Sequence, residues 1–209
     1  MFYRSKDRCY DKWADFKHKG NHYYFRPGYK NFVKELVSHP RVELGFYSSI
    51  MRRNIIPAVF ACFPSSEINV MQWIFDQEFC SRMLDHKYYA SLAENEWDTF
   101  RDLNKVLKDP KIVKAGFTRD SILLIDSDQK KVQFDLDNSL VNIPYAREDV
   151  EGNESLVDGK VRNKKVQEEE LSSLLSYVKG LLDSDSTVPD YLKANPSARF
   201  SPKFLLEEK

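Results

Sequence analysis

The sequence predicts an α/β fold of Rossmann-like type, with a mostly parallel sheet, helices on both of its faces and a further helix near the C-terminus. The first observation is a run of four aliphatic residues, 122–125, which has no helical period and is followed by Asp126 and Asp128. Such a run is typical of a short strand that is apolar on both faces, as inside a parallel sheet. The second observation is that strand-like and helix-like stretches alternate along the chain, as they do in proteins with parallel sheets.

The other elements follow from the spacing of the apolar residues. Strands are predicted at residues 42–46, 70–75, 122–125 and 140–145. Helices are predicted at residues 29–37, 50–60, 98–107 and about 168–182, where apolar residues recur every three or four positions. Pro57 is expected to kink the second helix unless it lies in the first turn. One domain is therefore expected over residues 1–183, followed by a tail over 184–209.

Three stretches are interpreted as lacking regular structure. Residues 1–25 mix aromatic and basic side chains without a clear period, and we expect the aromatic rings to cover a core from a loop. Residues 147–170 are strongly charged, contain two glycines and have no periodicity, which indicates an exposed loop. The C-terminal tail is expected to contain only a short turn at Tyr191.

The composition excludes several classes of protein. Lys and Arg number 32 and Asp and Glu also number 32, so there is no global argument for binding nucleic acid or an anionic membrane. The three cysteines are too few and too widely spaced for a disulfide framework or a zinc site, which predicts a reducing, intracellular compartment. Nucleus, cytoplasm and mitochondrion are not distinguished. No apolar run reaches the roughly 20 residues that a membrane span needs.

Polar side chains are predicted at the carboxyl edge of the sheet, which is where ligands bind in open α/β folds. Asp126 and Asp128 follow one strand and are candidate metal ligands. Ser48 and Ser49 follow another strand, and hydroxyl groups there can donate hydrogen bonds to phosphate oxygens. Ser49 is equally placed to cap the helix that follows, since serine is a preferred N-cap residue. Different serines can serve these two roles.

Several segments, taken in order, resemble one family of phosphatases. The segments are 25–29 (FRPGY), 44–49 (LGFYSS), 75–80 (FDQEFC), 100–103 (FRDL), 122–127 (ILLIDS) and 191–196 (YLKANP). They resemble the haloacid-dehalogenase-type phosphatases that act on the C-terminal domain of RNA polymerase II, with their relatives named for NLI-interacting factor and for a mitochondrial inner-membrane import subunit. The last segment resembles a plant and protist branch.

The resemblance implies a site and a reaction. In that family an aspartate nucleophile accepts a phosphoryl group from phosphoserine or phosphothreonine, a second aspartate acts as general acid and base, and Mg²⁺ assists. Mg²⁺ and a lysine offset the repulsion between carboxylate and phosphate. By position, Ser48 takes the phosphate-binding hydroxyl, Arg101 stands where the family has its lysine, and Asp126 matches the first metal-binding acid.

The chain also departs from the family pattern. The nucleophile motif, Asp-x-Asp-x-Thr, belongs just before Phe2 and is not present there. The acid that belongs directly after Asp126 is replaced by Ser127, with Asp128 one position later. Arg101 keeps the positive charge of the lysine, but a planar guanidinium replaces a compact ammonium.

A motif-like segment occurs later in the chain. Asp135 and Asp137, followed by Asn138 and Ser139, look like the missing nucleophile motif. If Asp135 and Asp137 acted as the nucleophile motif at this position, the sheet would have to be circularly permuted, because the motif belongs on the first strand of the fold. The other interpretation is a loop and the start of the strand predicted at residues 140–145.

The sequence therefore predicts a phosphatase-homology domain with impaired or lost catalysis that acts as a protein-binding or assembly component, its partner a protein and possibly a phosphoprotein. The alternative is an active Mg²⁺-dependent phosphoserine or phosphothreonine phosphatase whose nucleophile lies upstream of Met1, with Asp128 completing the metal site. A third interpretation is nucleic-acid binding through the aromatic and basic residues 1–25, by stacking of bases.

Overall fold

The computed structural model describes residues 2–9, 13–63, 71–147, 155–157, 160–162 and 164–205. Within them the strands are β1 (Phe2–Ser5), β2 (Phe16–His18), β3 (Asn21–Phe25), β4 (Leu44–Tyr47), β5 (Met71–Phe75), β6 (Cys80–Arg82), β7 (Thr99–Arg101), β8 (Leu124–Asp126), β9 (Ser139–Val141), β10 (Ser155–Val157) and β11 (Lys160–Arg162). The helices are α1 (Tyr29–Val37), α2 (Arg52–Cys62), α3 (Leu103–Val106), α4 (Pro110–Ala115), α5 (Lys164–Leu182) and α6 (Val188–Ala194). The predicted α/β class is confirmed.

The chain forms two compact units. Unit 1 comprises Met1–Phe46, Arg52–Ile74 and Ile143–Lys179. Unit 2 comprises Tyr47–Met51, Phe75–Asn142 and Gly180–Lys209. Every candidate site residue that the sequence predicts lies in unit 2: Ser48, Ser49, Arg101, Asp126, Asp128, Asp135 and Asp137.

The N-terminal part of unit 1 is a sheet, so the prediction of a loop over residues 1–25 is wrong. Strands β1, β3 and β2 pair antiparallel in that order. Lys19 and Gly20 both have positive φ in the connection between β2 and β3, as two-residue hairpin turns require. Tyr23 and Tyr24 on β3 are both fully buried. Because adjacent aromatic residues are buried, the strand lacks the alternation of apolar and polar residues by which a strand is recognised.

Helix α1 confirms the prediction at residues 29–37, with Tyr29, Phe32, Val33 and Leu36 on its buried side. Helix α2 is displaced by two residues from the predicted 50–60. Pro57 lies inside the helix, beyond its first turn. The strand predicted at 42–46 is β4, and the one predicted at 70–75 is β5.

The predicted helix at 98–107 is wrong in its first half. Thr99–Arg101 is strand β7, which pairs antiparallel with β6, and the short helix α3 follows. The Asp102 side chain accepts a hydrogen bond from the backbone N–H of Asn104 and so caps the first turn of α3. An N-cap aspartate competes with the backbone for hydrogen bonds and stops a helix from extending in the N-terminal direction.

Two predictions for the C-terminal third also need correction. Within the predicted loop 147–170, strands β10 and β11 form an antiparallel hairpin, and α5 begins at Lys164. Residues 148–154, 158–159 and 163 lie outside the described part of the chain. Helix α5 begins earlier than predicted because its first turns are rich in Lys, Gln and Glu. These residues favour helices, although Lys and Glu are charged. The short turn predicted at Tyr191 is helix α6, capped by the Thr187 side chain.

The strands of unit 2 form small sheets. Strand β8 pairs with β9 in parallel, with Ile125 opposite Leu140. Strand β8 begins and ends later than the predicted 122–125, so that Asp126 is its last residue. Strands β6 and β7 form a separate antiparallel pair. Among the described residues, the strands do not join into one mostly parallel sheet.

The core of unit 2 is built from apolar residues of its short elements: Phe100, Leu103, Val106, Ile112, Leu124, Val132 and Leu140 are buried. His86, Tyr89, Phe100 and Phe134 add a cluster of aromatic rings in mutual contact. None of the described helices combines the length and the apolar character that crossing a membrane demands.

Substitution of Leu140 tests this core. Leu140→Ala removes a fully buried side chain from β9, and we expect a loss of about 2–5 kcal/mol in the free energy of unfolding. Val113→Ala on α4 is the matched control, because that side chain is 61 % exposed. The control is expected to stay within about 0.5 kcal/mol of the unsubstituted chain in urea denaturation. Equal losses for both variants would contradict the described packing.

Candidate functional site

The centre of the candidate site is an ion pair between Arg101 and Asp126. Each residue is the last of its strand, β7 and β8 respectively. Arg101 Nε donates to Asp126 Oδ2 at 2.9 Å, and the two side chains are only 7 % and 11 % exposed. Burial alone lowers the pKa of the Arg101 guanidinium, but the Asp126 carboxylate and the Cys80 thiol outweigh that effect, so its pKa is raised. Arg101 therefore stays protonated in this environment.

Cys80 and Tyr47 complete the surroundings of the guanidinium. Arg101 Nη1 donates to Cys80 Sγ at 3.4 Å. The guanidinium carbon also lies 5.1 Å from the centroid of the Tyr47 ring, within the range of a cation–π contact. A planar group that donates in two directions and stacks on a ring suits these three neighbours, whereas a lysine ammonium is a single point of charge.

Tyr47 itself is fixed by backbone groups. Its hydroxyl donates to the carbonyl oxygen of Phe79 and accepts from the backbone N–H of Asp102 at 2.9 Å. Burial is the main cause of a raised pKa for this hydroxyl, which therefore remains a neutral donor. Through these bonds the end of β4, the start of β6 and the end of β7 are held around Arg101.

Ser48 joins the same cluster through its backbone. The Cys80 thiol lies 3.8 Å from the carbonyl oxygen of Ser48, and the Ser48 N–H donates to the carbonyl of Phe75 at 2.9 Å. The Ser48 hydroxyl accepts a hydrogen bond from the Ile50 backbone N–H at 3.2 Å. The structure thus brings Ser48, Arg101 and Asp126 together by way of Cys80. Ser49 follows directly and is partly exposed.

The remaining oxygen of Asp126 is also in use. Its Oδ1 accepts from the backbone N–H groups of Ser127 at 2.7 Å and Asp128 at 3.1 Å. The Asp128 carboxylate caps the next turn by accepting from the Lys130 N–H at 3.0 Å, and it lies 3.5 Å from the Lys131 ammonium. Both acids are therefore held by local backbone groups and by cations.

This arrangement does not fit a magnesium site. Mg²⁺ is bound through oxygen ligands, and the Oδ2 atom of Asp126 is instead paired with the Arg101 guanidinium at 2.9 Å. Asp128 is turned toward Lys131. Within the part of the chain that the structure describes, no group of three or more His, Cys, Asp or Glu side chains is placed to hold a metal ion.

Asp135 has a structural role in this fold. Its carboxylate accepts from the Leu103 backbone N–H at 2.9 Å, at the start of α3, and pairs with the Arg119 guanidinium. The residue is buried, and desolvation raises the pKa of its carboxyl group against the opposing effects of Leu103 and Arg119. Asp137, the other acid of the motif-like segment, is exposed. The structure therefore does not pair these two aspartates in one site.

Sequence reasoning did not assign a role to Tyr47, Cys80 or Asp102, although each contributes to the surroundings of the site. Asp102 accepts a hydrogen bond from the Ser81 hydroxyl at 2.6 Å while it caps α3. No local pattern in the sequence indicates that a tyrosine ring will stack on an arginine 54 positions later. The only available signal is that all three residues lie within or beside the segments that carry the family resemblance.

No protein-family model matches this chain, and no curated protein matches it in sequence.

The ion pair makes a testable contribution to stability. Asp126→Ala leaves the buried Arg101 without its carboxylate, and we expect a loss of about 3–5 kcal/mol in the free energy of unfolding. Arg101→Met combined with Asp126→Ala removes both charges and is expected to lose less than the sum of the two single variants. Urea denaturation of the four proteins gives this coupling. Strictly additive losses would show that the pair is not formed.

The two acids of the motif-like segment provide a matched comparison. Asp135→Ala leaves the N–H of the buried Leu103 without its acceptor, for which we expect a loss of about 1–3 kcal/mol in the free energy of unfolding. Asp137→Ala, at an exposed position two residues later, is expected to change it by no more than about 0.5 kcal/mol. Thermal and urea denaturation measure both. The structural role of Asp135 is refuted if the two variants are equally stable.

Proposed function

We propose that this chain is a phosphatase-homology domain of the haloacid-dehalogenase type with impaired or lost catalysis, and that it acts as a protein-binding or assembly component. The Rossmann-like arrangement of that family is part of the proposal. So is an intracellular location. The partner is a protein, and a phosphoprotein is the class that suits a former phosphate pocket.

Two features support the family part of the proposal. The matching segments follow the family order over residues 20–197. Three positions that the resemblance assigns to the phosphate pocket, Ser48, Arg101 and Asp126, lie at or just after the ends of β4, β7 and β8. A continuous set of contacts through Cys80 links them. Residues that are far apart in sequence and come together at strand ends often form a ligand site.

The observation that carries the loss of catalysis is the buried ion pair between Arg101 and Asp126. Phosphoryl transfer needs cationic groups directed at the phosphate, because both the nucleophile and the substrate are anionic. Here the guanidinium is directed at a carboxylate of the protein itself, at 2.9 Å. Each charge offsets the other, so neither is available to a substrate or a metal ion unless the pair separates.

The candidate nucleophiles also support this proposal. A nucleophilic carboxylate must reach the phosphorus atom of a substrate. Asp135 is buried and occupied by Leu103 and Arg119, which agrees with a role in folding. Asp137 is exposed.

An activity assay tests the proposal directly. We expect no Mg²⁺-dependent release of phosphate from a phosphoserine peptide above the level of a sample without protein. The physical reason is that the carboxylate and the cation of the site neutralise each other. Turnover by the unsubstituted chain that is lost in Asp126→Asn but kept in Asp137→Asn would overturn the proposal. That result would favour the active phosphatase instead.

A further inference from the structure

Residues 200–205, in the C-terminal part of unit 2, are bound through main-chain hydrogen bonds and through the buried side chain of Phe200. The Val141 N–H donates to the carbonyl oxygen of Phe200 at 2.8 Å. Further on, the side-chain amide of Gln133 donates to the Lys203 carbonyl at 2.8 Å and its oxygen accepts from the Leu205 N–H at 2.9 Å. Gln129 donates a second hydrogen bond to the Lys203 carbonyl.

Gln133 is placed for this task by the fold. It is only 3 % exposed, and its amide N–H also donates to the Gln129 carbonyl at 3.1 Å. Its backbone carbonyl accepts from the Tyr89 hydroxyl at 3.2 Å. The buried Gln133 amide contacts a carbonyl and an N–H that are two residues apart. Both groups belong to the main chain, so this contact recognises an extended segment independently of the side chains of that segment.

The other half of the surface is an edge of strand β9. The Asn142 N–H donates to the carbonyl of Asp126 on β8. Successive N–H groups of a strand point to opposite edges, so the Val141 N–H belongs to the edge that faces away from β8. Addition of an extended segment to such an edge is a common mode of peptide recognition. Phe200 provides an anchor, since its side chain is buried.

The segment after Phe200 has little else to hold it. The side chains of Lys203, Phe204 and Leu205 are exposed, Phe204 to 56 %. Segments with few buried apolar contacts open at low cost compared with the rest of a fold. When residues 203–205 detach, the side-chain amide of Gln133 loses the Lys203 carbonyl and the Leu205 N–H, and when Phe200 follows, the Val141 N–H loses its acceptor, unless another chain replaces them.

We propose that Gln129, Gln133 and the Val141 edge of β9 form a docking site for an extended segment of a partner protein, and that residues 200–205 occupy this site as an exchangeable internal ligand. The partner segment carries an aromatic anchor followed by a few residues in extended conformation. The partner segment is recognised through main-chain hydrogen bonds. The docking site lies outside the polar cluster of Arg101. The proposal goes beyond the proposed function and does not depend on it.

A binding experiment with the full-length chain tests the docking site. The probe is a fluorescein-labelled peptide of residues 197–209, measured by fluorescence polarisation. An opened variant, Phe200→Ala with Leu205→Pro, removes the anchor and one N–H from the internal segment but keeps the docking site. We expect it to bind the peptide at least about tenfold more tightly than the unsubstituted chain, because an internal ligand competes at high effective concentration.

Two controls define the contacts. Addition of Gln133→Ala to the opened variant is expected to reverse most of the gain. In the peptide, Phe200→Ala is expected to abolish binding, whereas Phe204→Ala, at an exposed position, leaves it unchanged. Circular dichroism verifies that the opened variant is folded. If that variant unfolds, Leu205→Pro alone is compared with Leu205→Ala, which keeps the N–H, and only the former is expected to gain binding.

Two results would overturn the inference. One is a folded, opened chain that binds the peptide no more tightly than the unsubstituted chain. The other is a dimer of the unsubstituted chain in solution that Gln133→Ala dissociates, which would make a second copy the occupant in place of a partner protein. Neither measurement involves phosphate or Mg²⁺, so the outcome is independent of the phosphatase assay.

Discussion

The buried ion pair of Arg101 and Asp126 sets the conditions for everything around it in unit 2. Removal of two charges from water costs several kcal/mol for each ion, and the attraction between them compensates only when their other hydrogen-bonding groups are also satisfied. The surrounding residues meet this condition. The Arg101 guanidinium donates to Cys80 and lies over the Tyr47 ring. Two backbone N–H groups donate to the second carboxylate oxygen of Asp126. The short strands of unit 2 are thereby fixed at their ends as well as by their sheet hydrogen bonds.

The same pair is the basis of the proposed loss of catalysis. A catalytic site directs unpaired charge at its substrate, and the cost of holding that charge is compensated by the rest of the fold. In this chain the charges are directed at each other, and we propose that the polar cluster therefore stabilises the fold and does not bind a phosphate. Ser127 and Arg101, which stand where the family that the chain resembles has an acid and a lysine, agree with that proposal.

The sequence predicts those elements whose pattern is local and misses those whose pattern is not. Helix α1 has one clean apolar face, and its predicted ends are correct. The sequence predicts a helix at β7 because Phe100, Leu103 and Val106 have helical spacing. In the structure Phe100 lies on the strand, and only Leu103 and Val106 lie on the helix that follows. Residues 48, 101 and 126 were found through resemblance, not through composition. The Tyr47 ring could not be found in this way, since its contact with the guanidinium depends on the tertiary fold.

Asp126 takes part in three kinds of contact at once. Its carbonyl oxygen belongs to the parallel pairing of β8 with β9, one carboxylate oxygen closes the turn at Ser127, and the other meets Arg101. A glutamate carries the same charge on a longer stem and cannot reproduce the turn, while an asparagine keeps the turn and loses the charge. Residue 126 is therefore expected to tolerate few substitutions during evolution. We expect homologues without this aspartate to differ at residue 101 as well.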